Sequence, residues 1–550
     1  MHNLCKAGEG LTAAGEGNLE YSDMNVKHWL QILGAGLLAG LVAAILLTLV
    51  LLLLRSLFGI ATPSELVGDR IAPLLGIEKF FELLGRFGGY NQLKQIGVSS
   101  VIGGQLVVGA LGGLLYALIV ERQKRAQRPA HAHHLGRWFS YIFAGLLWLA
   151  SLILLWPVLG TSYVGLPPTL GTLANAFGLL VAYALYGLAL VVLYRLMFKR
   201  ETTEAQARAQ QPVGRRAVLL TGIGTVCALA VGGLLQRLYK LASFSYDGTQ
   251  YKGADVQAIT PNDRFYVVTK NVVDPDVSRS LWRLDITGLI ERPHSYSFEE
   301  LAALPAATQE TTLRCISNQV GDGLMSNAVW KGVPMRALIE AAGAKQGVVE
   351  VLLHGVDNFT DTFAIEKAME PTTLVAYEMN GEMIPPRHGF PVRVIVPGLF
   401  GEKHVKWLTR IELVDHDAKG FYEQQGWGPN FVVPTIARFD VPEHQQKIKL
   451  AMAASGLQLK GVAHGGDRGV SKVEVSVDDG KTWNEAKIDH TQSPLAWVLW
   501  GYDWKPAQAG EYKLAVRATD GTGELQTDKE RGTAPEGATG YHKITAQIEA

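Results

Sequence analysis

Cysteine is scarce in this chain. Its 550 residues include three cysteines, Cys5, Cys227 and Cys315, which lie far apart. This spacing excludes a disulfide framework and a zinc site formed by neighbouring cysteines. Cys227 lies in an apolar run, which is typical of a buried, inert thiol. Cys5 lies in a polar tail and indicates little, so Cys315 is the cysteine that needs a chemical explanation.

A surplus of charge of either sign is absent as well. The 51 Lys and Arg residues balance the 51 Asp and Glu residues, so a basic nucleic-acid-binding protein is not indicated. The chain has no CxxCH motif for covalent haem. Its long apolar runs contain no histidine, and His28 lies only at the edge of one. A membrane bundle that carries haem is therefore not expected.

Long apolar runs are confined to the first 240 residues. Five of them are nearly free of charge and reach the roughly 20 residues that a helix needs to cross a bilayer. They cover about 29–54, 98–120, 138–160, 172–198 and 217–235. We expect a cytoplasmic tail at 1–28 and a membrane region of about five transmembrane helices at 29–235. Buried core helices are the alternative, which the number and length of the runs disfavour.

The charges of the loops predict how these helices are oriented. The loop at 122–137 and the segment at 199–216 are basic, so both are expected in the cytoplasm. The uncharged loop at 160–171 is expected outside, and so is the chain after residue 236. The loop at 56–97 has mixed charges and fits the outside less cleanly.

Two arginines precede the last apolar run. Arg215 and Arg216 resemble a twin-arginine export signal, a route that carries folded proteins, but they also satisfy the positive-inside rule. Both interpretations stay open. The helices are expected to serve as an anchor, and a docking surface for a quinone or a redox partner is the alternative.

The rest of the chain reads as two further domains after a linker at 236–258. Short β-branched runs mix with helical patterns over 259–435, which predicts an α+β domain. Within it, Ser297 followed by Glu300 is the signature of a helix capping box. Strict alternation and short turns over 436–550 predict an immunoglobulin-like β-sandwich, with Asp479-Gly480 at a hairpin turn.

Basic residues interrupt apolar strand-like sequence in HGFPVRVIVPGLFGEKHVKWL (388–408). Arginine is almost never fully buried without a partner, so Arg393 inside VRVIV should meet an anion, and the same holds for Lys406. A salt bridge to Glu412 or Asp415 is the structural alternative for either residue alone. Four residues of this stretch together suggest a site for a phosphate-sized anion. They are His388, Arg393, Lys403 and Lys406.

Cys315 lies in TTLRCISNQVGDG (311–323). It could be an inert thiol, a nucleophile with His354, His388 or His404 as its base, or a metal ligand. A metal held by one protein thiolate must take its other ligands from elsewhere. An anionic cofactor that carries both sulfur ligands and a phosphate would satisfy Cys315 and the basic residues together.

Three segments resemble the sulfite oxidase family of molybdopterin enzymes: TLRCISN (312–318), AYEMNGEMIPPRHGFPVRVIVPG (376–398) and GEKHVKWL (401–408). The resemblance covers about 255–550 and leaves the membrane region outside. It implies a molybdenum-molybdopterin cofactor, with oxygen-atom transfer coupled to the transfer of two electrons. It also implies that the second domain, 436–550, is of the dimerisation type, with a homodimer as a further expectation.

The resemblance implies roles for particular residues. Cys315 would be the metal ligand and the catalytic residue, beside two sulfurs from the pterin. The remaining residues would bind the cofactor or line its pocket, with Lys403 added from the basic cluster. They are Phe265, Tyr266, Lys270, Asp357, His388, Arg393, Lys403 and Lys406.

Departures from the family pattern bear on the substrate. Val268 and Val320 stand where the family places arginines around sulfite, and Trp427, with Tyr422 nearby, stands where it places a tyrosine. Without these arginines a sulfite dianion loses its charge-assisted contacts, so a neutral S-oxide or N-oxide is a better candidate than sulfite, with another sulfur compound still open.

We therefore expect a membrane-anchored, extracytoplasmic oxidoreductase. Its electrons would be exchanged with a separate carrier, a cytochrome or a quinone-linked protein, because the chain lacks haem motifs. The alternative from another class is a membrane-tethered binding module that kept the fold and lost the chemistry.

Overall fold

The computed structural model describes residues 10–125, 129–198, 250–454, 456–490 and 493–550, together with scattered positions between 222 and 236. These residues form two compact units. The first unit comprises Met1–Val67, Gln95–Leu159 and Thr172–Lys240, and the second comprises Gly68–Lys94, Gly160–Gly171 and Leu241–Ala550. Two loops of the apolar half thus belong to the same unit as the second half of the chain.

The first unit is helical. Four helices in the described part are long and apolar enough to cross a membrane, and they coincide with four of the five predicted spans. They are Trp29–Phe58, Tyr90–Gln123, Trp138–Val158 and Pro168–Met197. Most of the fifth predicted span, 217–235, and the arginine pair at 215–216 lie outside the described residues.

Glycines bring two of these helices together. A methyl group on Gly40 or Gly113 would overlap the backbone of the facing helix, and one on Gly36 would overlap Ala117. Backbones that approach this closely tolerate only small residues at the crossing. The glycine spacing in the sequence is therefore a packing device between the first two apolar helices.

The helices whose bounds lie within the continuously described ranges are numbered in chain order, leaving short 3₁₀ turns aside. Their bounds are α1 Gly10–Phe58, α2 Pro63–Ile71, α3 Ile77–Phe87, α4 Tyr90–Arg125, α5 Pro129–Leu155, α6 Pro168–Phe198, α7 Phe298–Ala302, α8 Met335–Ala342, α9 Ile365–Ala368, α10 Phe421–Gln425 and α11 Leu450–Ala454. The predicted capping box is present at α7. The Ser297 hydroxyl accepts from the Glu300 backbone N–H, and the Glu300 carboxylate accepts from the Ser297 backbone N–H.

The first β-rich domain of the second unit contains two sheets. One sheet has the order β2-β1-β10-β5-β6, with β1 and β10 parallel, and the other has the order β3-β4-β7-β8, with β9 on β7. The strands are β1 Leu284–Gly288, β2 His294–Tyr296, β3 Ala307–Arg314, β4 Met325–Pro334, β5 Glu350–Gly355, β6 Thr360–Ala364, β7 Leu374–Met379, β8 Glu382–Met383, β9 Arg393–Ile395 and β10 Leu408–Val414. Short helices among these strands match the predicted α+β composition.

The second β-rich domain also has two sheets, ordered β11-β13-β17-β16 and β12-β19-β18-β14-β15. Its strands are β11 Ile436–Val441, β12 Lys447–Lys449, β13 Leu457–His464, β14 Val470–Ser476, β15 Asn484–Glu485, β16 Lys487–Ile488, β17 Val498–Trp504, β18 Gly510–Asp520 and β19 His542–Glu549. Alternate residues of both sheets share one apolar core, so β14 buries Val473 and Val475. Asp479 and Gly480 both have positive φ, as a tight hairpin turn requires.

Candidate functional site

One cavity of the second unit gathers residues from distant parts of the sequence. The empty space inside it and at its mouth is about 1240 Å³. Eight of the nine residues predicted for the site line it. They are Phe265, Tyr266, Lys270, Cys315, Asp357, His388, Arg393 and Lys406.

Cys315 lies directly after β3, in a loop that the polypeptide backbone holds in place. Its N–H donates to the carbonyl oxygen of Leu324 (3.0 Å), and Asn318 closes the turn by accepting from the Leu324 N–H (2.7 Å). Its Sγ lies 3.0 Å from the Ser317 hydroxyl. Among the described residues there is no group of three or more His, Cys, Asp or Glu side chains that could hold a metal. A metal at Cys315 must therefore take its other ligands from a cofactor.

The preceding residue, Arg314, connects this loop to the second β-rich domain. Its fully buried guanidinium donates to the carbonyl oxygens of Pro434 and Ala538, at 3.2 and 3.1 Å. It also lies over the ring of Phe400. Arg314 is thus a positioning residue that fixes the end of β3, and with it the cysteine, against the neighbouring domain.

Arg393 is buried without a carboxylate partner among the described residues. Its guanidinium donates to the carbonyl oxygens of His388 (2.9 Å) and His404 (3.1 Å), while Nε has no hydrogen-bond partner. The salt-bridge alternative is wrong for this residue, because Glu412 pairs with His354 and Asp415 pairs with His416. Burial lowers the pKa of Arg393 to about 10, yet the group stays charged at neutral pH. A buried charge of this kind needs an anion.

Two further residues join Arg393 at this part of the cavity. The Lys406 ammonium donates to the carbonyl oxygens of Val268 (3.4 Å) and Arg387 (3.2 Å). His388 is buried, with Nε2 2.7 Å from the carbonyl oxygen of Asn262. Burial lowers the pKa of His388 to about 3, so the ring is neutral and Nε2 is the donor. We call Arg387, His388, Arg393 and Lys406 the cationic wall after its two arginines and its lysine, and the neutral His388 belongs to it by position.

Lys403 does not line the cavity. Its buried ammonium pairs with Asp361 at 2.7 Å and with Glu423 at 3.0 Å. The charge is therefore satisfied by protein carboxylates, which is the structural alternative for a basic residue in apolar sequence. These contacts correct the grouping of Lys403 with the anion-binding residues.

Lys270 and Asp357 line the cavity and contact each other. The Lys270 ammonium pairs with Asp69 (2.5 Å) and donates to the Asp357 backbone carbonyl (2.7 Å). The Asp357 carboxylate accepts from the Asn271 side chain (2.8 Å) and from the Phe359 backbone N–H (3.2 Å). Both are held in place at the cavity, and their roles toward the cofactor stay predictions.

The cavity also has an aromatic surface, to which the sequence pointed only at Tyr422 and Trp427. It includes Phe80 and Phe81 of α3, Tyr90 at the start of α4, Tyr422 of α10, and Trp427, which follows α10. We call Phe80, Phe81, Tyr90, Tyr422 and Trp427 the aromatic wall. The apolar pairs along IEKFFELLGRF (77–87) indicate an amphipathic helix, but nothing local shows that its apolar face meets a site more than 170 residues further along.

The two positions that depart from the family pattern differ in placement. Val268 lines the cavity, whereas Val320 does not. The apolar side of the cavity therefore includes Val268 and the aromatic wall but not Val320.

A buried carboxyl group was also missed. Glu402 lines the cavity, and its buried carboxyl oxygens have no side-chain hydrogen-bond partner among the described residues. Burial raises the pKa of Glu402 to about 8, so the group holds a proton at neutral pH. The sequence gives no signal for this, because Glu402 precedes a lysine and would be read as its exposed partner.

The residues present fit a molybdopterin cofactor. A thiolate donor and a buried guanidinium that lacks a protein anion lie in one cavity, as a metal with sulfur ligands and a phosphate would require. Cys315 would hold the metal, and Arg393, with His388 and Lys406, would hold the pterin and its phosphate.

Comparison with known proteins agrees with this fit. The profile of the oxidoreductase molybdopterin binding domain matches residues 271–422, and that of the Mo-co oxidoreductase dimerisation domain matches residues 433–547. Nitrate reductase (NADH) of Solanum lycopersicum is 30% identical over 331 residues, and nitrate reductase (NADH) 1 of Arabidopsis thaliana is 29% identical over the same length. These alignments cover 49% of the chain and 36% of each relative, so the chain spans about a third of their length.

A solved structure shows a similar but looser correspondence. The sulfane dehydrogenase SoxCD from Paracoccus pantotrophus is 24% identical, with a TM-score of 0.46 over 54% of this chain and 85% of that one. The two domain matches carry the assignment. Residues 271–422 are a molybdopterin-binding oxidoreductase domain and residues 433–547 are a Mo-co oxidoreductase dimerisation domain, and molybdopterin with molybdenum is the cofactor that these domains imply.

Proposed function

We propose that the protein is a membrane-anchored, extracytoplasmic enzyme that reduces a neutral S-oxide or N-oxide. The observation that carries the substrate class is the composition of the cavity. Apart from Lys270, which pairs with Asp69, its cations are grouped in the cationic wall, whereas the aromatic wall and Val268 offer apolar surface and no arginine. A neutral oxide can leave water for such a surface at far lower cost than a sulfite dianion.

The membrane placement is supported by the four apolar helices and by two loops. The loops at 68–94 and 160–171 belong to the same compact unit as residues 250–550. The Ser162 N–H donates to the Val356 carbonyl (2.8 Å), and the Asp276 N–H donates to the Tyr163 carbonyl (3.0 Å). Loop charges put 160–171 outside the cell, so the catalytic domain that contacts it is proposed to lie outside as well.

The chemistry divides between the cofactor and the chain. When bound, the molybdenum cofactor supplies the two-electron chemistry and the site to which the oxygen atom goes. Cys315 would hold it, and the cationic wall would orient its phosphate. Reduction of an oxide to its parent compound and water consumes two electrons and two protons. The electrons come from a separate carrier, and the neutral Glu402 carboxyl in the same cavity can hold one proton.

The relatives bear on the direction of the reaction. They are named nitrate reductases, which supports reduction over oxidation as the direction for this chain. Nitrate is an anion that the aromatic wall does not favour, so it enters the test as a competing substrate. The dimerisation-domain match supports a homodimer. We also propose an immunoglobulin-like topology for its two-sheet fold.

The test is purification from a host that makes the cofactor, followed by elemental analysis and dye-linked assays. We expect about one molybdenum per chain, and oxidation of a reduced viologen dye by methyl phenyl sulfoxide or trimethylamine N-oxide. Protein that is folded but contains neither molybdenum nor pterin would identify a non-catalytic module. Faster turnover of sulfite or nitrate than of any neutral oxide would refute the substrate class.

A further inference from the structure

We propose that the segment 77–90, which lies between the first two apolar helices, is a specificity-determining wall that selects a substrate with an apolar, ring-sized body. This inference rests on the proposed function and narrows its substrate class. The segment contributes Phe80, Phe81, Leu84 and Tyr90 to the lining of the cavity that contains Cys315. It lies outside both matched domains.

The segment is fastened to the catalytic domain on both sides. Before it, Asp69 pairs with Lys270, and the Ala72 carbonyl accepts from the Gln425 side chain (2.9 Å). After it, the Lys94 ammonium donates to the Thr269 carbonyl oxygen (2.6 Å). The partners Thr269, Lys270 and Gln425 line the cavity themselves or lie within two residues of a residue that does. The ion pair and hydrogen bonds at both ends of the segment therefore hold its aromatic side chains at the cavity.

The rings of this segment continue into the rest of the aromatic wall. Phe80 lies 5.8 Å from both Tyr90 and Phe81, and Phe81 lies 5.8 Å from Trp427, all between ring centroids. Trp427 lies 6.3 Å from Tyr422. Phe81 keeps 38% of its surface exposed although it lines the cavity. Exposed aromatic surface in a cavity is the part that an apolar ligand would cover.

The aromatic wall also contains a buried polar donor. The indole Nε1–H of Trp427 is buried and has no hydrogen-bond partner. Buried donors of this kind are normally satisfied, so an absent acceptor is indicated. An S–O or N–O oxygen is a strong acceptor, and the group that carries it would lie against Phe81. The wall thus recognises a neutral oxide in two ways, by its oxygen at Trp427 and by its apolar body at Phe81.

The first experiment compares two substrates in two variants of α3. Phe81→Ala removes a cavity ring, and Phe87→Ala removes a ring of the same helix that does not line the cavity. Phe81→Ala should lower kcat/KM for methyl phenyl sulfoxide about 10-fold, mainly through KM, because buried ring contact is lost. For dimethyl sulfoxide, which lacks the ring, the loss should stay within about 2-fold. Phe87→Ala should change neither value.

The second experiment measures binding without turnover. Calorimetry on the molybdenum-loaded protein would use methyl phenyl sulfide, which has the ring but no oxygen, and methyl phenyl sulfone, which has both. Trp427→Phe should weaken the sulfone about 10-fold and leave the sulfide unchanged, since it removes only the donor. Phe81→Ala and the milder Phe81→Leu should weaken both ligands.

The outcomes separate this inference from the proposed function. If the wild type reduces oxides but Phe81→Ala, Phe81→Leu and Phe87→Ala behave alike with both sulfoxides, the wall does not set specificity, and this inference is refuted. If molybdenum-loaded wild type neither binds the sulfone nor reduces any oxide, the proposed function itself fails. Elemental analysis of each variant shows that a loss of activity does not come from a loss of metal.

Discussion

The cationic wall and the aromatic wall line the same cavity but favour opposite kinds of ligand. The first favours an anion, and the second favours an apolar group. The cationic wall buries Arg393 without a protein carboxylate, which costs stability unless an anion is present. The aromatic wall exposes Phe81 to the cavity, where an apolar partner would gain by covering it. The first wall therefore suits a permanent cofactor phosphate, and the second suits a neutral substrate that comes and goes. One cavity can in this way bind an anionic cofactor at one wall and disfavour an anionic substrate at the other.

The largest effect should come from the residue that both walls surround. Cys315→Ser should reduce turnover by more than about 100-fold, because losing a metal ligand costs more than losing one of its outer partners. The measurement is dye-linked turnover together with molybdenum content. Retained turnover at wild-type molybdenum content would show that Cys315 is not the metal ligand.

The cationic wall can be tested by comparing Arg393 with Lys403, two buried cations from one short stretch. Arg393→Met should yield folded protein with little pterin, because the phosphate loses its bidentate partner. Lys403→Met should instead lower the free energy of unfolding by about 3–5 kcal/mol, because Asp361 is left buried and unpaired. Pterin content after gel filtration and the thermal midpoint separate the two. Equal pterin loss in both variants would show that Lys403, like Arg393, belongs to the anion site.

The aromatic wall can be challenged by adding charge beside it. Val268 lines the cavity and stands where an arginine is expected for sulfite. Val268→Arg should shift the ratio of kcat/KM for sulfite to that for methyl phenyl sulfoxide about 10-fold towards sulfite, since a charged hydrogen bond is gained. Val320→Arg, outside the cavity lining, is the matched control and should leave the ratio unchanged. The same shift in both variants would mean that cavity charge does not decide selectivity.

The smallest effect concerns a histidine that belongs to neither wall. In β19, Nδ1 of His542 accepts from the Phe439 N–H (3.0 Å), and burial lowers its pKa from 6.5 to about 4. Below pH 6.5 the histidine therefore binds a proton in the unfolded chain but stays neutral in the folded one. The free energy of unfolding falls as the pH drops from about 6.5 towards 4. This residue should account for about 1–2 kcal/mol between pH 6.5 and pH 5.

His542→Gln tests this by weakening the pH dependence without touching the cavity. Its thermal midpoint should fall less between pH 7 and pH 5 than that of the wild type, while the pH profile of turnover stays the same. An unchanged slope of midpoint against pH would show that His542 already titrates normally in the folded protein.

The two walls also differ in how far the sequence predicts them. Arg393 lies inside an apolar strand, and a buried charge demands a partner, so the pattern itself points to an anion site. Lys403 shows the same pattern, but its partner Asp361 lies 42 residues away, and no local feature reveals that pairing. A charged residue in apolar sequence thus predicts a partner of opposite charge. It does not tell whether that partner is a bound ligand or another side chain of the protein.

The aromatic wall was beyond local prediction for another reason. Phenylalanines on an amphipathic helix are explained by ordinary packing, so Phe80 and Phe81 raise no question in the sequence. The contact of Phe81 with Trp427, almost 350 residues away, exists only after the loop between the apolar helices folds onto the catalytic domain. Helix and strand patterns, the capping box at Ser297 and the four apolar helices depend on local chemistry, and these the structure confirms.

The most direct test of the central claim is one ratio measured on molybdenum-loaded wild-type protein. It is kcat/KM for the reduction of methyl phenyl sulfoxide, divided by kcat/KM for the oxidation of sulfite. Because the aromatic wall has no cation for the sulfite dianion, the ratio should exceed about 100, the loss expected when a site fails to pair a buried charge. A ratio below one, with full molybdenum occupancy, would contradict the assignment of the aromatic wall to a neutral oxide.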